Sequence, residues 1–142
     1  MSRTYIPQWL RERVTEQAGH RCGYCQADER YFGTDFEIEH LIPEALGGAT
    51  AEENLWLACR ECNGRKGIRI AAADPLTGDL APLFNPRTQR WSKHFRWVAT
   101  GDQLSGLTPS GRATIRALGI NRPKRILARQ FWVQAGWHPP KD

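Results

Sequence analysis

Between residues 7 and 18 the apolar side chains Trp9, Leu10, Val14 and Ala18 recur near helical spacing, with Pro7 at the first turn and Gly19 just past the end. That pattern predicts a first helix. Residues 36–42 alternate instead, with Phe36, Ile38 and His40 on one face and Glu37, Glu39 and Leu41 on the other. A period of two predicts a strand, which Pro43 ends. Gly47-Gly48 marks a turn, and Thr50 followed by Glu53 has capping-box spacing for one helical turn before Asn54. Leu55 to Ala58 reads as a second strand, and Arg60 to Lys66 as a helix that Gly67 closes. Residues 28–35 read as loop.

Residues 74–78, Asp-Pro-Leu-Thr-Gly, read as a linker. Beyond them, residues 91–100 and 103–107 flank Gly101-Asp102 and predict a hairpin. Thr108 as cap and Pro109 at the first position open a helix through Leu118; Asn121 and Pro123 open a last helix that Gly136 closes. Residues 139–142 read as a frayed tail. The predicted class is α+β: residues 1–73 form a strand-strand-helix unit with an N-terminal helix, and residues 74–142 a hairpin-plus-helices extension packed on it in one compact domain. No internal repeat or low-complexity tract interrupts this order.

At 142 residues, a globular chain buries roughly 70% of its unfolded surface and holds a core without help. No run is long and apolar enough to cross a bilayer, so a soluble protein is expected. The formal charge of +5 is unevenly spread, −3 over residues 1–67 against +8 over residues 68–142. In the second half Arg87, Arg90, Lys93, Arg96, Arg112, Arg116, Arg122, Lys124, Arg125 and Arg129 recur among aromatic residues. A basic excess of this kind neutralises phosphates and releases counterions, which points to nucleic acid. The plain alternative is a solvated face over an aromatic core.

Four cysteines fall as two Cys-x-x-Cys pairs, Cys22/Cys25 and Cys59/Cys62. Each pair sets two thiolates on one knuckle, and four soft ligands in a tetrahedron suit a structural Zn²⁺. Two disulfides or a redox dithiol are the alternatives. Residues 1–14, with Arg3, Arg11 and Arg13, lack a secretory pattern, so a cytoplasmic, reduced setting is expected. Duplication of the motif weighs against redox work.

The stretch from Cys22 to Gly67 resembles the HNH endonuclease family, metal-dependent nucleases built on a ββα unit. The resemblance rests on Cys22-x-x-Cys25, Glu39-His40, Leu41-Ile42-Pro43, Gly47-Gly48, Asn54-Leu55, Cys59-x-x-Cys62-Asn63 and Lys66-Gly67. His40 falls on the family's first histidine, Asn54 on its central asparagine and Asn63 on its third position, which is asparagine in an H-N-N variant. From Leu83 to Arg129 the chain looks like the tail of small bacterial members.

Phosphodiester hydrolysis needs a deprotonated water and positive charge on the crowded phosphorane. A neutral imidazole at His40 suits the first task as general base, whereas His20, His94 and His138 read as structural. Glu39 and Asn63 offer hard oxygen ligands for a catalytic Mg²⁺ or Mn²⁺. Asn54 reads as a brace that hydrogen-bonds backbone across the loop and holds His40 in register. Lys66 shares a helical face with Asn63 and offers charge to the transition state, a surface lysine being the plain alternative. The residue before the first histidine is usually aspartate in the family, and Glu39 is one methylene longer; Glu37, on the same strand face, is placed to supplement or replace it.

The resemblance implies a DNA endonuclease that leaves 5′-phosphate and 3′-hydroxyl ends, nicking duplex DNA or, as a homodimer, cutting both strands. An inert zinc-containing nucleic-acid-binding module is the main alternative, and a nuclease acting on RNA or single strands another.

Overall fold

The computed structural model describes residues 5–98 and 100–141; Arg3, Ala99 in the expected hairpin and Asp142 of the expected tail lie outside the described residues. The chain divides into two units, Met1–Ile70 with Asn85–Thr88, and Ala71–Phe84 with Gln89–Asp142.

In the first unit, helix α1 (Gln8–Gln17) starts after Pro7 and ends at Ala18, with Gly19 in the left-handed region. Its inward residues Leu10 and Val14, together with Ile6, bury against Leu55, and Ile38 packs on that cluster. Each such apolar side chain contributes up to about 1.5–3 kcal/mol on burial. A short helix α2 (Glu29–Phe32) follows where a loop was expected: the Asp28 carboxylate accepts from Arg30 N at 2.9 Å and supplies the cap.

Strand β1 (Glu37–His40) pairs antiparallel with β2 (Leu55–Ala58), setting Glu37 opposite Ala58, Glu39 opposite Trp56 and His40 opposite Leu55. β1 is shorter than the alternation predicts because the chain beyond His40 gives its hydrogen bonds to Asn54, through Leu41 N to the Asn54 carbonyl and Ile42 N to Asn54 Oδ1. A 3-10 turn occupies Glu52–Asn54 as expected, but Ala51 precedes it and no side chain caps it. Helix α3 (Arg60–Lys66) completes a strand-strand-helix order, with Cys59 at its N-cap and Gly67 after its end.

In the second unit the expected linker is the turn of a hairpin, β3 (Ala71–Ala73) with β4 (Leu80–Pro82). Asp74 holds that turn, accepting from Leu76 N at 3.0 Å and Thr77 Oγ1 at 3.3 Å. Strands β5 (Phe95–Val98) and β6 (Gln103–Gly106) form the predicted second hairpin. Helix α4 (Pro109–Leu118) is capped by Thr108, whose hydroxyl accepts from Gly111 N at 3.0 Å. Helix α5 (Pro123–Gln134) has Arg122 at its N-cap; Asn121 is used elsewhere, its amide pairing with both Leu104 N and Leu104 O. Phe84, Phe95, Leu104, Leu118 and Ile120 are buried here. The α+β class and the strand-strand-helix unit thus stand. No helix among the described residues is long and apolar enough to cross a membrane.

Candidate active site and metal centre

The two cysteine knuckles meet because β1, β2 and α3 fold between them. Cys22 N donates to the Ala27 carbonyl and Gly23 N to the Leu57 carbonyl, both at 2.9 Å, which docks the first knuckle on β2. Gly23 must be glycine, since an added Cβ would overlap the Trp56 ring and meet Pro86 Cβ at 2.8 Å. All four Sγ atoms lie within 4.8 Å of one another, and all four cysteines are buried and outside any disulfide. Zn–S bonds of about 2.3 Å in a tetrahedron place sulfurs about 3.8 Å apart, and Cys25 Sγ stands 3.8 Å from Cys59 Sγ. Burial pushes the Cys22 thiol well above its ordinary value, so without a cation this sulfur is held as a neutral thiol. The donor set fits zinc, which would be a structural ion with all four positions taken by protein.

His40 ends β1. Its Nε2 lies 2.8 Å from Thr50 Oγ1 and 3.5 Å from Glu44 Oε1, so Thr50, expected to cap a turn, instead holds the imidazole. A proton on Nε2 donated to Thr50 leaves the Nδ1 lone pair unengaged by any hydrogen bond among the described residues. The ring is mostly enclosed, with 13% of its side chain exposed. The loop that carries Thr50 is clamped by Asn54, which accepts from Ile42 N (2.9 Å) and donates to the carbonyls of Ile42 (3.0 Å) and Ala49 (2.9 Å). Gly48 passes so close that a Cβ would overlap the Ile42 carbonyl and lie 2.9 Å from Asn54 Nδ2.

Alternation sends Glu37 and Glu39 to the α3 side, but they find different partners there. Asn63 Nδ2 donates to Glu37 Oε1 at 2.8 Å in an exposed pair. Glu39 is 3% exposed, accepts from Tyr24 Oη at 2.5 Å and lies 3.6 Å from Lys66 Nζ. Its second oxygen, Oε2, is buried without a hydrogen-bond partner. Burial pushes the Glu39 carboxyl above its ordinary range, opposed by the Lys66 charge and the Tyr24 hydroxyl. Burial and the Glu39 charge together keep the Tyr24 phenol protonated.

Lys66, expected at the surface or facing the phosphate, is itself only 3% exposed and turns inward. It donates to the carbonyls of Leu41 (3.1 Å) and His40 (3.4 Å), tying α3 to the end of β1. The ammonium is thus enclosed at the end of the strand that carries His40 and does not lie at the surface. The sequence marks Thr50 only as a cap and does not single out Tyr24; each lies inside a loop, and only the folded contact, with His40 or with Glu39, shows its role.

The basic residues of the second half divide. Arg112 forms a bidentate pair with Asp74, 2.9 and 2.8 Å, and holds that buried carboxyl down to about 2. Arg129 is fully buried, donating to the carbonyls of Ile120 and Asp102 with its guanidinium 5.4 Å from the Trp97 ring centroid. Arg125 is buried, and Arg122 bonds the Gly119 carbonyl. Arg87 belongs to the first unit, where it bonds the Leu55 carbonyl and Gln17 and lies over Trp56 at 4.9 Å. These five serve the fold. Arg90, Lys93, Arg96, Arg116 and Lys124 are exposed.

Residues 22–69 match the family model described as HNH endonuclease. This segment is an HNH domain. Its limits enclose both cysteine knuckles, β1, β2 and α3, so the match and the geometry pick out the same unit, and membership implies nuclease chemistry in general. Among curated proteins the chain resembles the Septu protein PtuB of Bacillus thuringiensis, 24% identical over 124 residues that cover 84% of this chain and 44% of that protein. The chain therefore spans less than half the length of that relative. No solved structure matches. Against the HNH pattern, Asn54 and His40 occupy the loop and strand end as described, whereas the carboxylate meeting Asn63 is Glu37 and not Glu39.

Proposed function

We propose that the HNH domain makes this protein a divalent-metal-dependent DNA endonuclease, with His40 as general base. The observation that carries this reading is the held imidazole: Thr50 anchors Nε2 while Nδ1 stays free to take a proton from water. Asn54 keeps the loop closed around it, and Lys66 fixes the strand end from behind. Asn63 and a neighbouring carboxylate would hold a Mg²⁺ or Mn²⁺ ion, which when bound supplies positive charge to phosphate oxygens. The products are expected to carry 5′-phosphate and 3′-hydroxyl ends. One ββα unit holds one site, so a monomer nicks, and a homodimer or two events cut both strands. Arg90, Lys93, Arg96, Arg116 and Lys124 are the cations we assign to DNA phosphates.

The test is conversion of supercoiled plasmid by the zinc-loaded protein with Mg²⁺ or Mn²⁺, beside His40→Ala, with RNA and single-stranded DNA offered in parallel. Loss of a general base is expected to cost about 10²–10⁴-fold in rate. Enclosure of Glu39 is the one observation that favours the rival reading, an inert nucleic-acid-binding module. If wild type and His40→Ala are equally inert across metals and substrates, that reading replaces this one.

A further inference from the structure

We infer that the carboxylate ligand of the catalytic ion is Glu37, two residues before the position at which the resemblance expects it. This rests on the nuclease reading above and names a ligand for the ion that reading calls for. A Mg²⁺ or Mn²⁺ ion that works on phosphate must keep open positions for water and for phosphate oxygen, so its protein ligands sit where solvent reaches them. Glu39 fails that requirement. Its Oε2 touches no water-sized space, its Oε1 is taken by the Tyr24 hydroxyl, and the Lys66 ammonium 3.6 Å away repels a second cation.

Glu37 and Asn63 meet the requirement. The pair is exposed, and Glu37 Oε1 lies 2.8 Å from the Asn63 amide. Adjacent ligands of an octahedral ion bound at about 2.0–2.1 Å stand about 2.9 Å apart. A half-turn of the amide exchanges Nδ2 for Oδ1, after which two oxygens occupy neighbouring vertices with no backbone movement. In the ion-free protein Nδ2 fills the place by donating to the carboxylate. The extra methylene of Glu39 is what lets its carboxylate reach Tyr24 and Lys66, leaving Glu37 as the strand's outward oxygen donor.

Mn²⁺ binding to the zinc-loaded protein, followed by loss of the free-ion electron paramagnetic resonance signal, tests this without reference to turnover. Glu37→Gln is expected to weaken binding by about tenfold or more, as is Asn63→Ala, while Glu39→Gln stays within about threefold of wild type. Because Glu39→Gln strands Lys66, the double variant Glu39→Gln/Lys66→Met is measured as well, with zinc content and circular dichroism confirming the fold. Retained Mn²⁺ affinity in that folded double variant supports the assignment. Wild-type binding that survives Glu37→Gln and is lost in Glu39→Gln or the double variant overturns it while leaving the nuclease reading intact. Absence of Mn²⁺ binding by wild type, together with an inert plasmid assay, overturns both.

Discussion

Lys66→Met removes one partner of the ion pair enclosed between α3 and β1 and keeps most of the side-chain volume. In the wild type the Lys66 and Glu39 side chains are 4% and 1% exposed, and Lys66 also donates to the Leu41 and His40 carbonyls. Stranding a buried charge in this way costs about 3–5 kcal/mol, where an exposed pair would cost under about 1 kcal/mol. At a urea slope of about 2 kcal/mol/M the expected midpoint falls by about 1.5–2.5 M. Zinc release to a chromophoric chelator across a urea series is the suitable readout, because all four cysteines lie in the first unit. The sign with pH is fixed by Glu39. Its folded carboxyl is raised above the ordinary value of 4.5, so its contribution to stability is greatest below that value and is lost as pH rises through the raised folded pKa. Taking away Lys66 raises it further, so the penalty at pH 7 exceeds that at mildly acidic pH. Glu39→Gln/Lys66→Met, with neither charge present, is expected to recover most of the loss. A midpoint for Lys66→Met within about 0.5 M of wild type would refute the reasoning, since about 1 kcal/mol is all that shift represents.

Gly48→Ala forces a methyl against the Ile42 carbonyl and the Asn54 amide, and a cost of about 1–3 kcal/mol together with lost nicking is expected; unaltered melting and activity would show that the loop yields freely. Asp74, held down to about 2 by Arg112, contributes stability that is present above its unfolded value of 3.8 and lost as pH falls from about 4 to about 2. Arg112→Ala is therefore expected to flatten the acid limb followed by fluorescence of the second unit's tryptophans, and an unchanged limb would remove this account of it. Elemental analysis is expected to find one zinc per chain, and Cys62→Ser to lose it along with the helical signal of the first unit; full helicity without metal would show the knuckles to be dispensable.

Much of the site was legible in the residues because its signals are local. Two Cys-x-x-Cys spacings, a period-two run over residues 36–42 that contains His40, and a helix beginning at the second cysteine pair survive in the structure with shifts of one or two residues. What could not be read depends on partners far along the chain. Glu37 and Glu39 share a strand face, and only the placement of Tyr24 and Lys66 decides which of them is enclosed. Arg112 looks like Arg116 in the sequence until Asp74, 38 residues earlier, claims it. The same carboxylate turned an expected linker into a hairpin, since alanine-rich Ala71–Ala73 carries no strand propensity of its own. Thr50 and Asn121 were read as helix caps from spacing alone, but tertiary hydrogen bonds to His40 and Leu104 claimed both.

The segment Asn85–Thr88 belongs with Met1–Ile70 although the residues on both sides of it do not. The polypeptide consequently passes between the units three times, and no single cut separates them. A recombinant fragment stopping near residue 73 would strip the indole of Trp56 of its guanidinium cover and leave the Leu55 carbonyl short of a donor. Anyone grafting the HNH unit onto another carrier should therefore keep those four residues, which a cut after the first stretch of that unit would discard.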